Sequence, residues 1–294
     1  MNNIIRKQRE LASINKLKAQ RKVYQRAKCV AKASFWLFVL PVVIGNIAKY
    51  WMQDNATFMF VLLVFAAIAA ILKVIFSEWN KSMKKKAARI QQSFDTSIFG
   101  MTWRRYWGRE PSAEEINTIA HNEPNTGLYD WYEAKIENVS HNTGVLLCQI
   151  ETISYDDNMK KSFYKWVDWG FWIFIILEFV AGGCFYKDSV EQLILYAIIP
   201  LSPLVIWYLY MSISRKNESE LREKLIDMTS DAWSRVVCQQ EISMVELVAI
   251  QDALLQYRQT GNAVPDIIYD KQRNKQEGIA YESVKDRLRK LGID

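Results

Sequence analysis

The sequence predicts an all-α membrane protein in which four transmembrane helices form two hairpins around a cytosolic helical domain. Half of the 294 residues are hydrophobic although 24% are charged, so the two classes are separated into blocks. The apolar blocks are about 20 residues long, which is the length of an α-helix that crosses a bilayer. The segments between them show little of the strict alternation that is typical of strands.

The N-terminal segment, residues 1–33, predicts a basic amphipathic helix. It carries ten Lys or Arg and no Pro or Gly. Its apolar residues, including Ile4, Leu11, Ile14 and Leu17, recur at helical spacing. Two roles remain open: the helix lies on anionic lipid, or it is a solvated arm that only sets the topology.

The first predicted hairpin covers residues 34–77. Its two spans are Ser34–Trp51 and Ala56–Phe76, joined by the short loop Met52–Asn55. Asn46 lies inside the first span, where a polar side chain can hydrogen-bond to a neighbouring helix.

The second predicted hairpin covers residues 166–213, with spans at Trp166–Tyr186 and Leu193–Ile213. Glu178 lies near the middle of its first span, where a carboxylate is costly and tends to face the protein interior or a water path. Together with Asn46 and Ser202, Glu178 could line a cation path in an oligomer. The alternative is a protonated Glu178 that bonds to a neighbouring helix.

The cytosolic insert, residues 78–165, is predicted to be helical. Phe94–Gly108 is expected to be a turn-rich segment, and the acids after Pro111 are typical of a helix start. Two further helices are predicted over Asp130–Val139 and Gly144–Lys165.

The C-terminal segment, residues 214–294, is predicted to contain one long helix over Arg215–Arg258 that ends at Gly261, because apolar residues recur at three- and four-residue steps. The tail after residue 265 is polar enough to be partly mobile.

The distribution of positive charge predicts the topology. The net charge is +6, and the basic residues flank the apolar blocks while the loops within the hairpins carry few of them. By the positive-inside rule, both termini and the insert are cytosolic. The charge therefore needs no DNA or RNA partner.

The motif content gives little support for an enzyme, a metal site or a cofactor. Nucleotide-binding glycine motifs, zinc-protease and serine-hydrolase motifs are absent, and four scattered Cys with two His do not have zinc-ligand spacing. Basic and aromatic residues of the cytosolic segments are nevertheless suited to phosphate and base recognition. The candidates for a nucleotide site are Trp103, Arg104, Arg105, Trp131, Tyr132, Arg258 and Tyr269. The alternative is that these Trp residues are core and these Arg residues are surface groups.

Several stretches resemble motifs of the SMODS-associated four-transmembrane effectors, which are encoded beside bacterial nucleotide second-messenger synthetases. The stretches are Gln91–Trp103, Leu128–Tyr132, Cys148–Gln149, Ile250–Asp252 and Val264–Tyr269. Their order and spacing agree with the family, and they add Gln149 to the candidate ligand residues. The chain departs from the family at Met101, Thr102 and Ile150, where Leu, Pro and Arg are expected.

This resemblance implies a pore-forming effector of a CBASS-type anti-phage system. A cyclic oligonucleotide would open a homo-oligomer in the bacterial inner membrane, and permeabilisation would cause abortive infection. The alternative is a membrane-anchored scaffold or sensor that recruits cytosolic partners through its long helices and does not conduct.

Overall fold

A computed structural model describes residues 2–52, 56–185 and 199–293. Within these ranges the regular structure is entirely helical, which confirms the predicted all-α class. The α-helices are α1 (Ile4–Gln8), α2 (Leu11–Met52), α3 (Ala56–Phe99), α4 (Ala113–Ala120), α5 (His141–Phe185), α6 (Ile199–Val237), α7 (Met244–Thr260) and α8 (Asp266–Lys290). Two short 3-10 helices cover Arg105–Trp107 and Ala134–Asn138.

The described residues contain no helix that combines the length and the apolar character of a membrane span. The second predicted loop, Lys187–Gln192, and the start of the fourth predicted span lie outside the described residues, as do residues 53–55 of the first loop.

The prediction of one helix over Arg215–Arg258 is wrong, because the chain breaks between α6 and α7. Gln239 has a φ of +61°, a left-handed conformation that ends a helix. Four residues later Ser243 and Glu246 form a capping box, in which each side chain accepts a hydrogen bond from the other residue's backbone N–H. The apolar spacing continues across this break, so periodicity alone did not reveal it.

The polar tail contains a helix that the sequence did not predict, since residues 266–290 form α8. Ala280, Val284 and Leu288 recur every four residues and are at most 2% exposed. This narrow apolar stripe packs against α5. Most other residues of the helix are polar, so the composition of the segment does not reveal the stripe.

The insert is less helical than predicted in one place and more helical in another. The α3 helix continues through Phe99 because Phe94, Ile98 and Phe99 are fully buried. The predicted helix over Asp130–Val139 is only a short 3-10 helix at Ala134–Asn138. The predicted start after Pro111 is confirmed, since Ser112 caps α4 by accepting from the Glu115 N–H.

The basic N-terminal segment is part of the helical core that the insert and the C-terminal segment form. Ile4, Ile5, Ile14 and Leu17 are at most 3% exposed and pack with residues of α3, α5, α7 and α8. The Asn2 amide donates hydrogen bonds to the carbonyls of Ile136 (2.7 Å) and Val139 (3.1 Å). The apolar face of this segment therefore serves packing, while α2 runs beside α3 as the most extensive helix pair.

Candidate functional site

A buried polar network surrounds Asp95 on α3. The Asp95 side chain is 1% exposed and forms an ion pair with Arg258 at 2.6 Å. It also accepts hydrogen bonds from the Tyr132 hydroxyl and the Gln251 amide, both at 3.0 Å. One carboxylate thereby joins α3, α7 and the loop before the second 3-10 helix.

Buried glutamines extend this network to α5. The Gln251 amide donates to Gln92 at 2.9 Å, and the Gln149 amide donates to Gln251 at 3.0 Å. The same Gln149 amide donates to the Leu247 carbonyl at 2.9 Å. We call Gln92, Asp95, Tyr132, Gln149, Gln251 and Arg258 the Asp95 network.

Burial and the Asp95 carboxylate together shift the pKa values of Arg258 and Tyr132. Burial alone would lower the pKa of Arg258, but the Asp95 carboxylate raises it above the usual value. Burial raises the pKa of Tyr132, and the charge of Asp95 raises it further. Arg258 is therefore a cation and Tyr132 a neutral donor at physiological pH, as their contacts require.

The aromatic and basic segment that follows α3 is attached to α7 through Asp252. The indole N–H of Trp107 and the hydroxyl of Tyr106 donate to Asp252 at 2.6 and 2.7 Å. The Trp103 indole donates to the Gly108 carbonyl at 2.9 Å, and Arg104 and Arg105 remain exposed. Asp252 is a neighbour of Gln251, so this segment lies beside the Asp95 network.

The predicted ligand residues therefore occupy three places. Tyr132, Gln149 and Arg258 meet in the Asp95 network, and Trp131 packs edge-on against Phe94 close by, with ring centroids 6.3 Å apart. A second group, Trp103, Arg104 and Arg105, lies in the segment held by Asp252. Tyr269 is apart from both groups on α8, where Lys28 lies 4.5 Å above its ring.

The predicted intramembrane polar residues are described only in part. Glu178 lies on α5 and is half-buried. The side chains of Asn46 and Ser202 lie outside the described part of the chain. A role in conduction stays a prediction for all three.

A second buried polar cluster, which the sequence analysis missed, joins α3, α5, α6 and the end of α7. Lys160 forms an ion pair with Glu218, which is 2% exposed, and the Tyr164 hydroxyl donates to Glu218 at 2.5 Å. The Lys84 ammonium donates to the Gly261 carbonyl at 3.0 Å. We call Lys84, Lys160, Tyr164, Glu218 and Gly261 the junction cluster.

Burial opposes the effect of the neighbouring carboxylates on both lysines of the junction cluster. It lowers the pKa of Lys84 to about 8, against the opposing effect of Glu218. The pKa of Lys160 is raised despite burial, because the Asp156 and Glu218 carboxylates both stabilise its protonated form. Only the four-residue spacing between Asp156 and Lys160, which form an ion pair at 3.1 Å, signals this cluster in the sequence.

Comparison with known protein families gives a match over nearly the whole chain. The family model described as "SMODS-associating 4TM effector domain" matches residues 2–286 of the chain. No curated protein and no solved structure matches it.

Proposed function

Because the chain belongs to the family of SMODS-associating 4TM effectors, we propose that it is a pore-forming effector of a bacterial anti-phage system. In this proposal, a cyclic oligonucleotide binds the cytosolic helices and opens a homo-oligomer of the chain in the inner membrane. The resulting permeabilisation causes abortive infection. No catalytic step is part of the proposed activity.

The observation that carries the proposal is the apolar surface of the long helices. On α3, Phe60, Ile71 and Val74 are each 65% exposed, and on α5 Phe179 is 79% exposed. Large contiguous apolar surfaces mark sites of contact with a membrane or another protein. These residues lie in the segments for which the sequence predicts spans, so we assign the surface to lipid and to neighbouring subunits in a four-span layout.

Helix continuity supports a mechanism in which the cytosolic domain controls the membrane part. The α3 helix has 44 residues and α5 has 45. At 1.5 Å per residue each is about 66 Å long, roughly twice the hydrocarbon thickness of a bilayer. Each helix carries exposed apolar residues at one end and core residues at the other. A change in packing at the core end is therefore transmitted along an unbroken helix.

The ligand acts by shifting a population. It favours the open arrangement only to the extent that it binds that arrangement more tightly than the closed one. Oligomerisation is expected because four helices are few to enclose a water path alone. Glu178, at mid-span in this layout, is the proposed polar group of that path.

The test is leakage of dye and ions from proteoliposomes that contain the purified protein. The panel consists of cyclic di- and trinucleotides, with the matching linear nucleotides as controls. We expect leakage with one cyclic nucleotide and an altered ion preference in the Glu178→Gln variant. Absence of leakage with every nucleotide of the panel, when alkaline extraction has verified that the protein is inserted, would contradict the pore and favour the non-conducting scaffold.

A further inference from the structure

Two arginines from distant parts of the chain meet at one turn of the loop after α4. Arg21, on α2, donates from Nη1 to the Thr126 carbonyl at 3.1 Å. Arg273, on α8, places Nη2 only 2.8 Å from the position that a Cβ on Gly127 would occupy. Thr126 and Gly127 are adjacent, so the two guanidinium groups are neighbours.

The positive charge of this pair is incompletely neutralised. Arg273 pairs through Nε with Glu277 at 2.8 Å, which leaves its other nitrogens for further contacts. Among the described residues no carboxylate forms an ion pair with Arg21, and the nearby Glu123 is paired with Lys22 at 3.1 Å. Burial and the charge of Arg273 together lower the pKa of Arg21. A half-buried pair of like charges is stabilised by an anion.

Two tyrosines and a lysine complete the surroundings of the pair. Tyr269 lies one helical turn before Arg273 on α8, and the Lys28 ammonium is 4.5 Å from the centre of its ring. Tyr155, on α5, packs beside Tyr269 on the same apolar cluster. The Tyr155 hydroxyl is buried, and the neighbouring Tyr269 adds to the effect of burial in raising its pKa.

We propose that Arg21 and Arg273 form the phosphate-binding site of the nucleotide ligand, with Tyr269 contacting its sugar or base. Guanidinium forks bind phosphate oxygens in a bidentate manner, and tyrosine rings stack on bases. The assignment of an anion site rests on the geometry alone, whereas its identification with a nucleotide rests on the proposed function.

A soluble phosphate suits this position better than a lipid headgroup. Arg21 precedes the first predicted span, which begins at Ser34, by 13 residues of continuous α2 helix. That separation is about 20 Å along the helix axis, beyond the reach of an arginine side chain. A bound anion would draw α8 towards α2, and α2 continues directly into the first predicted span.

The test uses the full-length protein in phosphatidylcholine nanodiscs, with pyrophosphate as the probe at constant ionic strength. We expect 10 mM pyrophosphate to raise the melting temperature by roughly 2–4 °C, the shift for a site with a millimolar dissociation constant. The Arg21→Gln and Arg273→Gln variants should lose at least half of this shift. Arg289→Gln is the matched control, because Arg289 is also on α8 and also in an ion pair within the helix, with Asp286 at 2.8 Å.

Two further variants guard against misfolding as an explanation. Arg273→Lys keeps the charge and should retain part of the shift. Glu277→Gln releases Arg273 and should enlarge the shift, a gain that damage to the fold would not produce. Absence of a shift in the wild type, or equal shifts in all variants, would overturn the site.

The remaining comparisons separate the site from the proposed function. In the leakage assay, the half-maximal concentration of the activating nucleotide should rise at least tenfold in Arg21→Gln and Arg273→Gln but not in Arg289→Gln. Leakage that is equal in all variants would leave the pore intact and overturn the site as the place where the nucleotide binds. Loss of the pyrophosphate effect in nanodiscs that contain phosphatidylglycerol would assign the pair to a headgroup instead of a soluble ligand.

Discussion

Single residues connect parts of the helical core that are far apart in the sequence. Asp95 and Arg258 are 163 positions apart, and their ion pair is nearly inaccessible to solvent. Removal of one partner of such a buried pair is destabilising, because the other charge then stays buried without a counter-charge. Arg258, a predicted ligand residue, therefore has a structural task whether or not it also touches a ligand.

We expect the Arg258→Met variant to lose about 3–5 kcal/mol of the free energy of unfolding, because Asp95 would stay buried without its counter-charge. The measurement is urea unfolding in detergent micelles. Asp95→Asn combined with Arg258→Met should recover part of the loss. Arg289→Gln, at an exposed ion pair, should change stability by less than about 1 kcal/mol. A loss below about 1 kcal/mol in Arg258→Met would show that the pair is dispensable.

Glu151 predicts a pH dependence of stability. Its side chain on α5 is 4% exposed, and burial raises its pKa to about 8, although the Glu133 N–H at 3.3 Å opposes this effect. Between pH 4.5 and 8 the unfolded chain binds fewer protons here than the folded chain, so stability falls as the pH rises and is constant above the folded pKa.

The Glu151→Gln variant should remove this dependence, since the amide oxygen can still accept from Glu133. We expect it to be more stable than the wild type by about 2–4 kcal/mol at pH 8 and by less than about 1 kcal/mol at pH 5. Unfolding curves at both pH values give the comparison. Glu137→Gln, at an exposed position, should follow the wild-type profile.

At the scale of helices, the junction cluster requires a glycine at the end of α7, because its side chains occupy the space that a Cβ would need. A Cβ on Gly261 would collide with the Lys160 ammonium and would lie 3.0 Å from Glu218 and 3.1 Å from the Tyr257 carbonyl. The φ of Gly261 is −60°, so space and not backbone conformation requires glycine here. By contrast, nothing lies within 4 Å of a Cβ on Gly278, inside α8.

Alanine at these two glycines should therefore have opposite effects. Gly261→Ala is expected to lose about 1–3 kcal/mol of stability through overpacking. Gly278→Ala is expected to gain about 0.5–1 kcal/mol through helix propensity. The melting temperatures of the two variants test this prediction. A change of the same sign in both would contradict the crowding at Gly261.

For the whole molecule, the sequence predicted the helical class, since apolar spacing reports it directly. It predicted Tyr132, Gln149 and Arg258 as ligand residues; the structure brings these three together in the Asp95 network, while their contact with a ligand stays a prediction. It did not predict the break at Gln239, because the apolar spacing resumes in phase after it. The Arg21 and Arg273 pair was beyond sequence reasoning, since neither residue belongs to a motif and 252 positions separate them.

Signal transmission along the unbroken helices can be tested in α5. Lys161 and Lys165 are exposed at the transition between the core and the second predicted hairpin. Replacement of both by Gly weakens the helix by about 1 kcal/mol at each site relative to Ala. We expect nucleotide-triggered leakage to fall severalfold while the pyrophosphate shift persists. The variant with alanine at both positions is the control. Equal leakage from the glycine and alanine variants would argue against signal transmission along the unbroken α5 helix.

The docking of the N-terminal segment has a consequence for biosynthesis. Asn2 bonds to residues 134 and 137 positions further along the chain. At 5–20 residues per second, the ribosome needs on the order of ten seconds to supply these partners, and Arg258 emerges later still. Both segments that are predicted to form hairpins are therefore synthesised before the Asp95 network can form. A nascent chain that stops before residue 258 lacks the counter-charge for Asp95, so the Asp95 network can form only after Arg258 has been synthesised.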